Sequence, residues 1–161
     1  MKLTEPQALN RAAAYCSKAE RCEYDVRKKL ISWELPDDAV SRIIKRLKDE
    51  RFLSDERFSR SFINDKMRFN KWGRTKIIYE LSKRNISESV YLPILDEVSG
   101  NEFEEQLMHI LRVKARTVKG KNEYDKKTKL IRFAVGRGFS LDMSIKGVNK
   151  IMGGDYEEDI L

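Results

Sequence analysis

The chain has 161 residues, 40% of them hydrophobic and 37% charged, with 33 lysines and arginines against 26 acids. No run of eighteen apolar residues could cross a bilayer, and Met1 leads straight into a polar, capped segment rather than a signal peptide, so a soluble cytoplasmic protein without membrane contact is expected. Four of the acids fall in the last nine residues, which hold no base, so residues 1–152 carry a net charge of +11, an excess that points to a polyanionic partner such as nucleic acid.

The first predicted helix opens on Thr4-Glu5-Pro6-Gln7, a capping box with a first-turn proline, and runs through alanine-rich sequence to Ala19. Two more helices are predicted over residues 25–33 and 36–48. The stretch 51–58 then joins this unit to the next. Ser54 or Asp55 is its natural N-cap, and Phe52 or Leu53 can pack on Phe58 or Phe62 as a hydrophobic staple. The following helix covers 55–69, with Phe58, Phe62 and Ile63 on one face, and Asn70-Lys71-Trp72-Gly73 breaks it. Helices over 74–84 and 87–98 complete the second unit. Pro93 is costly inside the latter, so a kink or an extended turn at Val90-Tyr91-Leu92 is expected.

Ser99-Gly100-Asn101 reads as hinge-like punctuation. Beyond it come a helix over 101–117, a basic polar loop over 118–122, and helices over 124–135 and 140–152 joined by Gly136-Arg137-Gly138. Gly147 costs its helix about 1 kcal/mol relative to alanine, making that helix the least stable unless a neighbour packs closely there. Residues 153–161 are expected to form a flexible acidic tail.

Six apolar columns recur three times along these elements. With Leu35, Ile86 and Phe139 as anchors, Val26, Ile77 and Leu130 stand nine residues earlier, and Leu30, Leu81 and Ala134 five earlier. Ala39, Val90 and Met143 stand four later, Ile44, Leu95 and Val148 nine later, and Leu47, Val98 and Ile151 twelve later. Pro36, Ser87 and Ser140 follow the anchors and suit helix starts; Asn85 and Gly138 precede two of them and tolerate the left-handed backbone that ends a helix. Glu34 is the exception at the first joint. A period of about fifty residues means tandem helical units stacked on their neighbours. The expected architecture is all-α: an elongated, curved array of three three-helix repeats over 1–53, 54–99 and 100–152.

Catalysis requires polar groups that converge, whereas the carboxylates here are scattered among bases at helix-surface spacing. Cys16 and Cys22 have only the distant His109 to join them, so no metal, disulfide or cofactor is expected, and the chain reads as a binding protein, a monomer, rather than an enzyme. The candidate binding residues gather in two groups. Arg57, Arg60, Lys66, Arg68, Lys71, Arg74 and Lys76 cluster around Trp72, which could be an exposed anchor or a buried filler at the joint. The third unit supplies Arg116, Lys119, Lys121, Lys126 and Lys127, amid Arg112, Lys114 and Lys129, a dense run suited to backbone phosphate contacts.

The junction Arg51-Phe52-Leu53-Ser54-Asp55-Glu56-Arg57-Phe58 resembles the hydrophobic-Leu-x-Asp-x-Arg-Phe junction of the RecX family, bacterial regulators of the RecA recombinase. Trp72-Gly73-Arg74-x-Lys76-Ile77-x-x-Glu80-Leu81-x-x-Arg84-x-Ile86 resembles that family's Gly-x-x-x-Ile-x-x-Glu-Leu-x-x-Lys-Gly-Ile segment, although Arg51 and Asn85 stand where the family commonly has glycine. The resemblance covers most of the chain. It implies a cytoplasmic, non-catalytic protein that docks on the RecA filament on single-stranded DNA and restrains RecA's ATP hydrolysis, strand exchange and coprotease activity; weak direct DNA binding is a further expectation from the basic residues themselves. The alternative is a sequence-specific helix-turn-helix transcriptional regulator, against which stand the acidic starts Pro36-Asp37-Asp38 and Ser87-Glu88-Ser89 of the second helices.

Overall fold

Local capping sets where the helices begin. Thr4 Oγ1 accepts from the Gln7 N–H at 3.3 Å while Gln7 Oε1 accepts from the Thr4 N–H at 3.0 Å, completing the expected box. Ser54, Ser99, Asn122 and Ser140 each accept from the N–H three residues on, satisfying donors that a helix start leaves open. The computed structural model describes residues 2–153; the expected acidic tail lies outside the described residues, save Gly153. Among those described, all regular structure is helical. The helices are α1 (Glu5–Lys18), α2 (Glu23–Ser32), α3 (Asp37–Asp49), α4 (Asp55–Arg68), α5 (Arg74–Lys83), α6 (Glu88–Glu97), α7 (Gly100–Ala115), α8 (Glu123–Gly136) and α9 (Leu141–Met152).

The repeat is geometric as well as sequential. Glu34, Asn85 and Gly138 take φ values of 64°, 56° and 98°, so all three joints turn through the left-handed region. At each, the N–H of that residue reaches the carbonyl three back, and the anchor N–H reaches the carbonyl five back: Leu35 to Leu30, Ile86 to Leu81, Phe139 to Ala134. This is the Schellman arrangement. Glu34 adopts it despite its side chain, which costs roughly 1–2 kcal/mol relative to glycine. The anchors and the columns five and nine residues before them are buried in all three copies, which offsets that strain.

At α6 and its exit the chain is helical where an extended turn, the alternative to a kink, and a hinge were expected. Helix α6 runs through Pro93, and residues 90–92 are helical rather than extended. Burial of Tyr91, Ile94 and Leu95 compensates the hydrogen bond that proline cannot donate. The expected hinge at 99–101 is a capped helix start: Ser99 closes the first turn of α7, leaving only Val98 and Ser99 between helices.

Two compact units divide the chain. Unit 1 comprises Met1–Phe62 and Leu81–Leu92, and unit 2 comprises Ile63–Glu80 and Pro93–Leu161, so the middle repeat contributes to both. In unit 1, Ala8, Ala12 and Cys16 of α1, Val26 and Leu30 of α2, and Val40, Ile43, Ile44 and Leu47 of α3 form one core with Leu53. In unit 2, α7, α8 and α9 pack together. Gly147 explains how closely: a Cβ there would lie 3.0 Å from Leu111 Cδ1 and 3.3 Å from Leu107 Cδ2, so the neighbour needed to stabilise α9 is α7.

A backbone clamp also orders unit 2. The Gly73 N–H donates to Arg137 O at 2.8 Å and the Thr75 N–H to Gly138 O at 3.1 Å, which docks the start of α5 on the α8–α9 joint. A side chain at Gly73 would meet Gly138 O at 2.3 Å, and one at Gly138 would meet Lys76 Cβ at 2.4 Å. Only two glycines allow this approach.

Candidate functional site

The α4–α5 break places the middle basic cluster. Helix α4 ends at Arg68, Lys71 takes a left-handed φ of 57°, and the Trp72 N–H returns to Lys66 O at 2.9 Å. This fold-back brings two ammonium groups onto one indole: Lys66 Nζ lies 4.9 Å and Lys76 Nζ 4.5 Å from the Trp72 ring centre. Trp72 is half-buried, so it is neither the free anchor nor the sealed filler that the sequence left open. Its polar edge of cations makes a firm, positively charged corner.

The arginines of that cluster are engaged differently. Arg68 pairs with Glu102 at 3.5 Å and Arg74 with Asp96 at 3.4 Å, both in unit 2. Arg57 and Arg60 belong to unit 1; Arg57 grips Glu20 at 2.9 Å and also donates to Arg51 O, and Arg60 pairs with Glu56 at 3.5 Å. Each of these ion pairs is solvent-exposed and worth about 1 kcal/mol or less, so an incoming polyanion can compete for the arginine. Lys71, by contrast, carries no carboxylate partner among the described residues.

In the third repeat the loop after α7 is pinned rather than loose. Asp125 Oδ2 accepts from the Lys121 N–H at 3.0 Å, and Lys129 Nζ donates to Lys119 O at 2.7 Å. That backbone hydrogen bond is the main reason the Asp125 carboxyl is held below its ordinary range. Arg116, Lys119 and Lys121 project as exposed side chains from this loop, and Lys126 is half-buried. Lys127 does not share their surface. It is 6% exposed, and its ammonium donates to Gly153 O at 2.6 Å, at the C-cap of α9. Its role is to satisfy a helix-terminal carbonyl.

A second basic feature of unit 2 was not assembled from the sequence. Phe69, Lys71, His109, Lys114, Phe133 and Arg137 line an open groove of about 470 Å³, with Ile110, Val113 and Thr117 completing its wall. The interleaving of Phe69 and Trp72 with Arg68 and Lys71 was a signal for it, but Phe133 and Arg137 lie more than sixty residues away in sequence.

Other chemistry is sparse. Among the described residues no group of three or more histidines, cysteines or acids could hold a metal ion, and no helix is long and apolar enough to cross a membrane. Cys16 and Cys22 are buried free thiols; burial pushes both up, Cys22 to about 12. The second helices of the three joints carry Asp37 and Asp38, Glu88, and Asp142 in their first turns. A recognition helix would carry those positions into the major groove, whose flanking phosphates repel carboxylates.

Three family models match in order: the first three-helix domain of RecX over residues 8–47, the second over 54–90 and the third over 102–144. The chain is 27% identical over 151 residues to the Regulatory protein RecX of Clostridium perfringens (strain 13 / Type A), covering 92% of this chain and 70% of that one. It is 32% identical over 138 residues to the Regulatory protein RecX of Clostridium acetobutylicum, covering 83% and 63%. In fold it is similar to the crystal structure of RecX from Lactobacillus salivarius, with a TM-score of 0.80 at 22% identity over 91% of this chain and 96% of that one. Each matched domain contains one of the three left-handed joints, and with all three present in tandem the chain belongs to the RecX family.

Proposed function

We propose that this protein binds the filament that RecA forms on single-stranded DNA and restrains it, lowering ATP hydrolysis, strand exchange and stimulation of repressor self-cleavage. The observation that carries the reading is membership of a family whose curated relatives are named regulatory proteins, on a scaffold of tandem helical units with a net charge of +11 over residues 1–152. Tandem units suit a long target because modest contacts to successive subunits add through simultaneous engagement. The contact face we assign is that of unit 2: the Trp72 corner with Lys66, Lys71 and Lys76, and the loop cations Arg116, Lys119 and Lys121. Arg68 and Arg74 join it, and in unit 1 Arg57 and Arg60 add contacts of their own, each by exchanging weak internal partners for the filament's negative charge.

The test adds the full chain to RecA on single-stranded DNA with ATP and follows phosphate release and co-sedimentation. Hydrolysis should fall as the protein co-sediments, and both effects should fade as salt rises. Lys71→Glu combined with Lys119→Glu should weaken both with the helical content unchanged, since neither side chain makes an ion pair within the described residues. A chain that leaves hydrolysis unaltered and stays in the supernatant refutes the proposal.

A further inference from the structure

We infer that the groove of unit 2 between Phe69 and Phe133 is a seat for single-stranded DNA, an inference that rests on the filament reading by assigning which part of the basic surface meets the strand. Three cations line the groove, Lys71, Lys114 and Arg137, and none of its nine lining residues is an acid. None of the three pairs with a carboxylate among the described residues, whereas Arg57, Arg68 and Arg74 do. The groove is therefore where unspent positive charge collects.

Its aromatic content selects the ligand. Phe69 stands just past the end of α4 and is 80% exposed, an unusual position for a phenylalanine on a monomer surface. Phe133 is flanked by the Arg137 guanidinium at 4.9 Å and the Lys114 ammonium at 5.2 Å from its ring centre. An open aromatic ring beside backbone-neutralising cations suits an unpaired base and its phosphates. Duplex DNA keeps its bases stacked and offers nothing to Phe69. An acidic peptide would engage the cations, yet its carboxylates offer the exposed Phe69 ring no face to stack on.

The probe is a fluorescein-labelled oligothymidylate of about twenty nucleotides, titrated with the whole chain by anisotropy at several salt concentrations. Phe69→Ala should weaken binding about ten-fold with little change in salt slope, and Phe69→Trp should retain affinity. Lys71→Ala with Lys114→Ala should lower the slope by about 1.4, at roughly 0.7 per phosphate contact on a single strand. Because Phe69 and Lys114 are exposed and Lys71 makes no ion pair among the described residues, circular dichroism and melting should stay as in the parent. The inference is overturned if the oligonucleotide does not bind, if its affinity and slope ignore these substitutions, or if Phe69→Ala weakens a duplex equally. It is also overturned if the variants lose only DNA-free RecA, since the groove would then take protein. RecA ATPase with the unsubstituted chain separates the two ideas: suppression without groove-dependent oligonucleotide binding removes this assignment alone, and its absence removes the filament reading while the titration still reports on the groove.

Discussion

Gly73→Ala tests the clamp in unit 2 most sharply. The added methyl would sit 2.3 Å from Gly138 O, 2.4 Å from Gly138 C and 2.5 Å from Phe139 N, all backbone atoms that no rotamer change can move. Relieving the clash requires the α5 start and the α8–α9 joint to part by roughly 1 Å, since carbon and oxygen ordinarily stay more than 3 Å apart. That movement breaks or stretches the hydrogen bonds from the Gly73 and Thr75 amides, at about 1 kcal/mol each. Overpacking strain adds about 1–3 kcal/mol. The expected loss is therefore about 3–5 kcal/mol, a large share of a small domain's stability. Denaturant unfolding followed by circular dichroism would measure it, with Gly100→Ala as the control. A Cβ at Gly100 meets nothing within 4 Å and fills a helical position, so the control should be neutral or stabilising by up to about 1 kcal/mol. A Gly73→Ala midpoint within 0.5 kcal/mol of the parent, on the order of surface-substitution scatter, would refute the close approach.

Three further outcomes follow from particular residues. Glu34→Gly should raise the melting temperature slightly, by relieving a left-handed glutamate at a cost in unfolded-chain entropy, for a net gain of about 0.5 kcal/mol; a fall of the same size would mean that Glu34 makes a contact worth more than the strain. Asp55 accepts the Glu23 N–H at 2.8 Å, and its pKa is raised above the ordinary 3.8, chiefly by desolvation, so its contribution to stability is full below that value and is lost as pH rises through the folded one. Asp55→Asn keeps an acceptor without the buried charge and should match or exceed the parent at pH 7 by urea unfolding, whereas Asp55→Ala should lose about 1–3 kcal/mol. Glu5 runs the other way: its hydrogen bonds with Arg42 hold its pKa below 4.5, so its contribution is present above 4.5 and vanishes as pH falls through the folded value. Glu5→Gln should therefore flatten the acid limb of a stability-against-pH curve, and an unchanged limb would show the pair to be inert.

How much of this was legible depends on the range of the interaction. The caps at Thr4, Ser54 and Ser140, the nine helices among the described residues and the three joints all follow from contacts within a few residues, which sequence displays directly. Even the weakest sign, Glu34, yielded to the apolar columns on either side of it, because burial of Leu30 and Leu35 is worth more than the strain of one left-handed residue. Pro93 went the same way. The helix expected over 55–69 stops at Arg68 instead, and Phe69 stands in the open.

The sequence by itself determined an all-helical chain of three homologous units with a basic surplus, since periodicity, capping and charge are local and additive quantities. Only tertiary structure decided which cations remain available. Arg57 meets Glu20, Arg74 meets Asp96 and Lys127 turns inward to Gly153, pairings across 37, 22 and 26 residues that composition cannot reveal. The same holds for the groove that gathers Phe69, Lys114 and Arg137, because electrostatic and stacking chemistry depends on distances in space, which the chain sets only once its units have packed.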